Sequence, residues 1–397
     1  MATMLDATSA PPQATPDSSR SADAAVVALL IASTCIIAGL LWDISWHMSI
    51  GRDTLWSPPH VVEQIGAALA GLTCGGMVLW TTFRGTDAAR ARTVRFWGFR
   101  GPLGAWVAIW GAFAMMFSVP FDDWWHNAYG LDVEILSPPH TVLLAGMIAI
   151  QLGAMLLALG WQNRAHGRRQ RMLALAYAFA AGALIAMAGT AISEYTLLPN
   201  RWHASFTYAV AGIVFTMLLV ATGRAGRLRW PATTAAVAYM AIYLITQWIL
   251  VQFPATPRLT PIVRPLTHMA AYGFPLLLVA PAFGIDLVLR RFDRIGEWKL
   301  AALLGVTFSA LMLAVHWPAG SFLVQSPLAQ NDFFLANHFP YFNAPGAWQQ
   351  NFFGSEITNN TTDFGAFALG MLAALAYAML SARVGLAWGR WMRRVQR

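Results

Sequence analysis

A carboxylate, an imidazole four residues later and a second imidazole just after a Pro-Pro pair occur twice in this chain of 397 residues. The first set is Asp43, His47 and His60, and the second is Asp122, His126 and His140. One carboxylate with two imidazoles is a three-ligand set that leaves coordination positions open, which suits a catalytic metal better than a closed structural one. The donor types fit Cu, Zn, Fe(II) or Mn. Cys35 and Cys74 lie within apolar segments, so neither a thiolate site nor a disulfide framework is expected, and no Met is placed for a soft Cu(I) site.

On a helix, a spacing of four puts Asp43 over His47 and Asp122 over His126 on one face. His60 and His140 follow Ser-Pro-Pro, where Ser is a good N-cap and Pro is tolerated in the first turn. Each loop would thus deliver the third ligand from the start of a returning helix. The two stretches align as a repeat of about 80 residues. Trp46/Trp125, Gly51/Gly130, Asp53/Asp132, the two Ser-Pro-Pro-His segments and Gly66/Gly146 match, with one residue inserted in the second copy. Asp53, Asp132 and Glu63 are either partners that orient the histidines or plain loop and surface carboxylates. Trp46 and Trp125 read as interfacial belt residues. His203, His268, His316 and Glu194 are polar positions for which packing and a third site both stay open.

The elements carrying these residues are membrane helices. The chain is 57% hydrophobic and 11% charged, against about 25% charged in soluble domains. Ten apolar spans are expected, at roughly 24–47, 60–82, 104–126, 140–161, 172–195, 206–222, 231–252, 267–289, 299–317 and 362–383. Arg clusters at 84–100, 164–171, 224–229, 290–299 and 383–397 fall in alternate connections, as the positive-inside rule requires. That distribution accounts for the net charge of +8 and argues against nucleic-acid binding.

The expected fold is all-α, a polytopic bundle of about ten transmembrane helices in five hairpins, the first two (24–82 and 104–161) forming the repeat. Residues 1–22 read as a disordered cytoplasmic tail, 23–384 as the membrane domain and 385–397 as a basic cytoplasmic tail. Both termini would be cytoplasmic and the motifs near the outer face of a bacterial inner membrane. The connection at 318–361 has no Lys or Arg and many aromatics, and reads as an outer-face loop that caps the bundle or docks a partner.

The spacings Asp43-x₃-His47-x₁₂-His60 and His126-x₁₃-His140 resemble the C subunit of the membrane-bound copper monooxygenases, the particulate methane and ammonia monooxygenase family. The resemblance covers residues 27–162 and implies copper bound by Asp43, His47 and His60 and again by Asp122, His126 and His140. Where the family's second site has Asn, this chain has Asp122. The implied activity is copper-dependent oxidation of a small apolar or amine substrate, with partner subunits or an electron donor; iron and zinc are the alternative metals. A homo-oligomer fits equally. The competing class is a transporter or metal-handling protein, which would need a polar path to the inner face; Ser33, Thr34, Thr73 and Gln151 are its candidates. A bis-His haem protein is a third class.

Overall fold

In the computed structural model, residues 16–51, 54–130, 137–197, 199–258, 266–271, 273–335 and 364–396 are described. Apolar runs broken by Gly, Pro and Ser give helices α1 (Pro16–Ser49), α2 (Pro58–Arg84), α3 (Asp87–Ala91), α4 (Leu103–Tyr129), α5 (Pro138–Gln162) and α6 (Gly167–Ala191). Then follow α7 (Ser193–Thr196), α8 (Ser205–Ala225), α9 (Pro231–Leu250), α10 (Val279–Arg291), α11 (Glu297–Gln325) and α12 (Phe364–Arg394). A short antiparallel pair, β1 (Val94–Phe96) and β2 (Phe99–Gly101), closes the connection between α3 and α4. The fold is thus a helical membrane bundle. Nine of these helices are long and apolar enough to cross a membrane among the described residues.

The expected span at 267–289 is not one helix. Its second half is α10, with 13 residues, and the described part of its first half is irregular. Gly273 at φ +154° and Pro275, which has no N–H to donate, stop a helix from running through. Such irregular backbone is tolerated at membrane depth when it is buried in protein. Here Ala271, Leu276 and Leu278 are fully buried and the Leu277 N–H donates to His316 Nε2 at 2.9 Å. Three boundaries also move. Residues 16–22 already belong to α1, α11 runs through Pro318 to Gln325, and residues 385–394 continue α12 rather than forming a tail. Gly385 and Gly389 explain the last, since they let α12 press directly on α8 near Met217 and Arg224. The connection 336–363 lies outside the described residues.

Small residues set how closely the motif-bearing helices approach. On α4 and α5, Gly104 faces Gly153 and Gly111 faces Gly146, backbone against backbone. On α1 and α2, Gly66 meets Ala32 and Gly39 meets Pro59 and Glu63. Both pairs run antiparallel, with the motifs at one end and the Arg-rich connections at the other. At that basic end, Arg90 donates to Thr82 O (2.9 Å), Arg169 pairs with Asp23 (2.9 Å) and Arg383 with Glu297 (3.2 Å). Beyond the second pair the helices do not simply pack in chain order. The principal neighbour of α8 is α12, while α6 lies mainly against α5 and α9.

Candidate metal centre

Each motif is assembled at the mouth of an antiparallel helix pair. Gly51 (φ +82°) and Gly130 (φ +91°) break the chain just past α1 and α4, in a region where a side chain would be strained. Pro58-Pro59 and Pro138-Pro139 then start α2 and α5. Ser137 caps α5 by accepting from the His140 N–H at 3.4 Å. Ser57 instead accepts from the Thr54 N–H at 2.8 Å and closes its own loop.

In the first motif, Asp43 Oδ1 lies 3.0 Å from His60 Nε2 and 3.5 Å from His47 Nδ1. In the second, Asp122 Oδ1 lies 3.5 Å from His140 Nε2, and Oδ2 lies 3.4 Å from His126 Nε2. All six expected residues are therefore brought together, three and three, each carboxylate between an imidazole of its own helix and one of the partner helix. Asp122, His126 and His140 offer ligand atoms that all lie within 4.8 Å of one another. No residue of the first motif joins that cluster, and it is the one such grouping among the described residues.

Backbone carbonyls set the ring orientation of three histidines. His47 Nδ1 lies 2.9 Å from Asp43 O, His60 Nδ1 2.9 Å from Thr54 O, and His126 Nδ1 3.2 Å from Gly130 O. A carbonyl only accepts, so each of these Nδ1 atoms carries a proton. This is the outer bonding that metal-ligating histidines ordinarily have. Asp43 Oδ1 and Asp122 Oδ1 are buried, with imidazole nitrogens 3.0 to 3.5 Å away. At Asp122 both facing nitrogens are Nε2, whereas at Asp43 one is His60 Nε2 and the other the proton-bearing His47 Nδ1, so it is the second motif whose ligand atoms converge as a cation requires. Metal–ligand bonds of about 2.1 Å in tetrahedral geometry place ligand atoms about 3.4 Å apart; in the second motif His126 stands 3.4 Å from one Asp122 oxygen and His140 3.5 Å from the other. The sites are not sealed, with side-chain exposures from 18% at Asp43 to 48% at His47.

The other candidates separate. His316 donates from Nδ1 to Met312 O (3.0 Å) and accepts from Leu277 N–H, so both nitrogens are used in holding the irregular leg before α10. His203 contacts Ser321 Oγ at 3.1 Å and packs edge-on against Trp317. His268 lies in the bridge opposite Pro254, 3.0 Å from Thr267 Oγ1, and belongs to neither cluster. Asp53, Asp132 and the Glu194 side chain lie outside the described residues. Sequence reasoning missed the brace on the first motif. Ser45 donates to Ala270 O (2.6 Å), Ser49 accepts from Ala270 N–H (2.7 Å), and Trp42, Trp46 and Ile50 pack on Leu250, Ala255 and Met269. Trp46 is thus a packing residue of that brace. A separation of more than 220 residues hides this contact from any local pattern.

No family model matches the chain, and neither a curated protein nor a solved structure matches it. A functional reading therefore rests on the residues and their geometry.

Proposed function

We propose that the chain is the metal-bearing component of an integral membrane oxidoreductase, a copper-dependent monooxygenase by its resemblance, acting on a small apolar or amine substrate. The observation that carries this reading is a carboxylate bracketed by two imidazoles, twice, with His60, His126 and His140 facing it through Nε2 and His47 through Nδ1. Asp43, His47 and His60 would hold one ion, and Asp122, His126 and His140 a second. Bound copper would supply one-electron chemistry and O₂ activation, with iron or zinc as the alternative occupants.

The chain's own part is positioning. Thr54 O and Gly130 O fix the rings, and the close Gly111–Gly146 seam fixes the distance between α4 and α5. Apolar helices around the sites favour a substrate that partitions into lipid. In this reading the two motif-bearing helix pairs are an internal repeat. The Arg-rich end and both termini are cytoplasmic, and the motifs open toward the outer face of a bacterial inner membrane. Partner subunits or a soluble electron donor, or a second copy of the chain, would dock there.

A transporter reading is disfavoured by the polar residues inside the bundle. Ser33 and Gln151 bond to each other across α1 and α5, and Thr34 bonds to Leu30 O at 2.8 Å. These contacts occupy three of the four polar candidates for a path to the far face. Elemental analysis and EPR of the purified protein test the proposal: up to two bound transition-metal ions per chain are expected, falling on His47→Ala and on His126→Ala. A metal-free protein, or metal uptake into proteoliposomes that both substitutions abolish, would overturn it.

A further inference from the structure

At the Arg-rich end of α9 and α10, one indole carries two guanidinium groups. Arg229 Cζ stands 5.4 Å and Arg290 Cζ 4.6 Å from the centre of the Trp230 ring, and Arg290 Nη1 donates to Arg229 O at 3.0 Å. Two like charges are thereby held beside one ring. Several other arginines at this end have carboxylate partners. Arg169 pairs with Asp23, Arg224 with Asp293, and Arg383 and Arg390 with Glu297. Arg229 and Arg290 form no such pair among the described residues. Asp286 lies within electrostatic reach of Arg290. It is only 1% exposed, however, and its oxygens accept from the Ala232 and Thr233 N–H groups and the Thr233 hydroxyl. Most of the guanidinium donors are therefore open to an anion from outside the chain.

Beside these cations lies an apolar groove. Trp230 packs on Phe283 with ring centres 5.0 Å apart, and Phe283 lines a cavity of about 460 Å³. That size is in the ordinary range for a ligand site, roughly 300–1,000 Å³. Met240 of α9, Leu277 and Ala280 on the broken span, and Val315 of α11 form its other walls. The space exists because α10 has only 13 residues, a length of about 20 Å, where a full span would fill it. Phe283, Leu287 and Arg290 follow the i, i+4, i+7 spacing of one helix face, and Phe283 and Leu287 are half exposed. One face of α10 thus passes from groove wall to cation within about 10 Å. Any apolar groove on a membrane bundle meets lipid tails; the unpaired cations at its basic end select among lipids.

We propose that this groove binds an anionic phospholipid of the leaflet at the Arg-rich end. Its phosphate sits between Arg229 and Arg290, and one acyl chain lies against Phe283, Met240 and Val315. Basic pockets between membrane helices suit anionic headgroups, and a planar guanidinium can take two phosphate oxygens at once. A zwitterionic lipid offers the same tail, but its own amine offsets the phosphate charge. The site is separate from both metal motifs and does not depend on them.

The test is native mass spectrometry of the full-length protein in detergent, titrated with phosphatidylglycerol or with phosphatidylcholine of the same acyl chains. Wild type should bind one phosphatidylglycerol roughly tenfold more tightly than phosphatidylcholine. Arg229→Gln combined with Arg290→Gln should lower phosphatidylglycerol to the phosphatidylcholine level. Val315→Phe, which narrows the groove without changing charge, should weaken both lipids; Ala280→Phe does the same from the opposite wall if that variant does not fold. Arg294→Gln, at the same end but outside the groove, should change nothing, and excess inorganic phosphate should not displace the lipid. The inference is overturned if wild type shows no preference, or if the double arginine variant keeps it. An equal loss in Arg294→Gln overturns it in favour of a diffuse basic surface. Displacement by phosphate, with no effect of narrowing the groove, overturns it in favour of a free-anion site.

Discussion

Gly146 on α5 offers a direct test of how the second site is held. A Cβ there would stand 2.8 Å from Gly111 O, from Met115 N and from Met115 Cγ. Two of these three atoms are backbone, so no rotamer change relieves the clash. Ordinary carbon contacts begin near 3.4 Å, so Gly146→Ala must push α4 and α5 apart by about 0.6 Å. Overpacking of this kind costs roughly 1–3 kcal/mol. The seam lies six residues from His140, about 9 Å along the helix axis. Separation there should widen the 3.5 Å gap between His140 and Asp122 and leave His126 and Asp122, on one helix, unchanged. Gly146→Ala should therefore melt several degrees lower in detergent and bind metal at the second site roughly tenfold more weakly, as when supporting contacts of a ligand are lost. The first site should be unaffected. Gly76→Ala is the control, because nothing lies within 4 Å of its added methyl; it should be neutral or stabilise by less than about 1 kcal/mol. If Gly146→Ala behaves like Gly76→Ala in both melting and metal binding, the idea that backbone contact sets the site geometry is wrong.

Three further outcomes follow from the contacts. His316→Phe keeps a ring but leaves the buried Leu277 N–H without its acceptor, so it should cost about 1–3 kcal/mol in thermal unfolding. Its metal content should stay at the wild-type value; a loss of metal would show that His316 is a ligand after all. Asp286 accepts from the Ala232 and Thr233 N–H groups at the start of α9 and from the Thr233 hydroxyl. Asp286→Ala should therefore destabilise by about 1–3 kcal/mol and speed hydrogen exchange in the first turn of α9. A double-mutant cycle of Ser33→Ala and Gln151→Leu should give a coupling near 0.6 kcal/mol and at most about 1.7, the range for polar contacts between membrane helices. Additive effects would mean that the two side chains do not stabilise each other.

Much of the site could be read along the chain because its contacts are local or lie across short loops. The four-residue spacing of Asp43 and His47 fixes their shared face, and Ser-Pro-Pro fixes where the next helix begins, whatever the rest of the bundle does. Apolar length likewise marks most of the spans. It failed at 267–289, where composition is apolar throughout but Gly273 and Pro275 interrupt the hydrogen-bond ladder; hydropathy measures transfer to lipid and is blind to that ladder.

Tertiary structure decided the remainder. Glu63 looks like a surface or orienting carboxylate in sequence, and only the close approach of Gly39 on α1 buries it. The bracing of the first motif by Ala255, Met269 and Ala270, and the use of both His316 nitrogens on Met312 and Leu277, depend on which helices meet. Ligand type and helical register are properties of covalent spacing, so the sequence alone determines them. Burial, ring orientation and the distance between helices come from contacts between segments far apart in the chain, and only the packed bundle sets them.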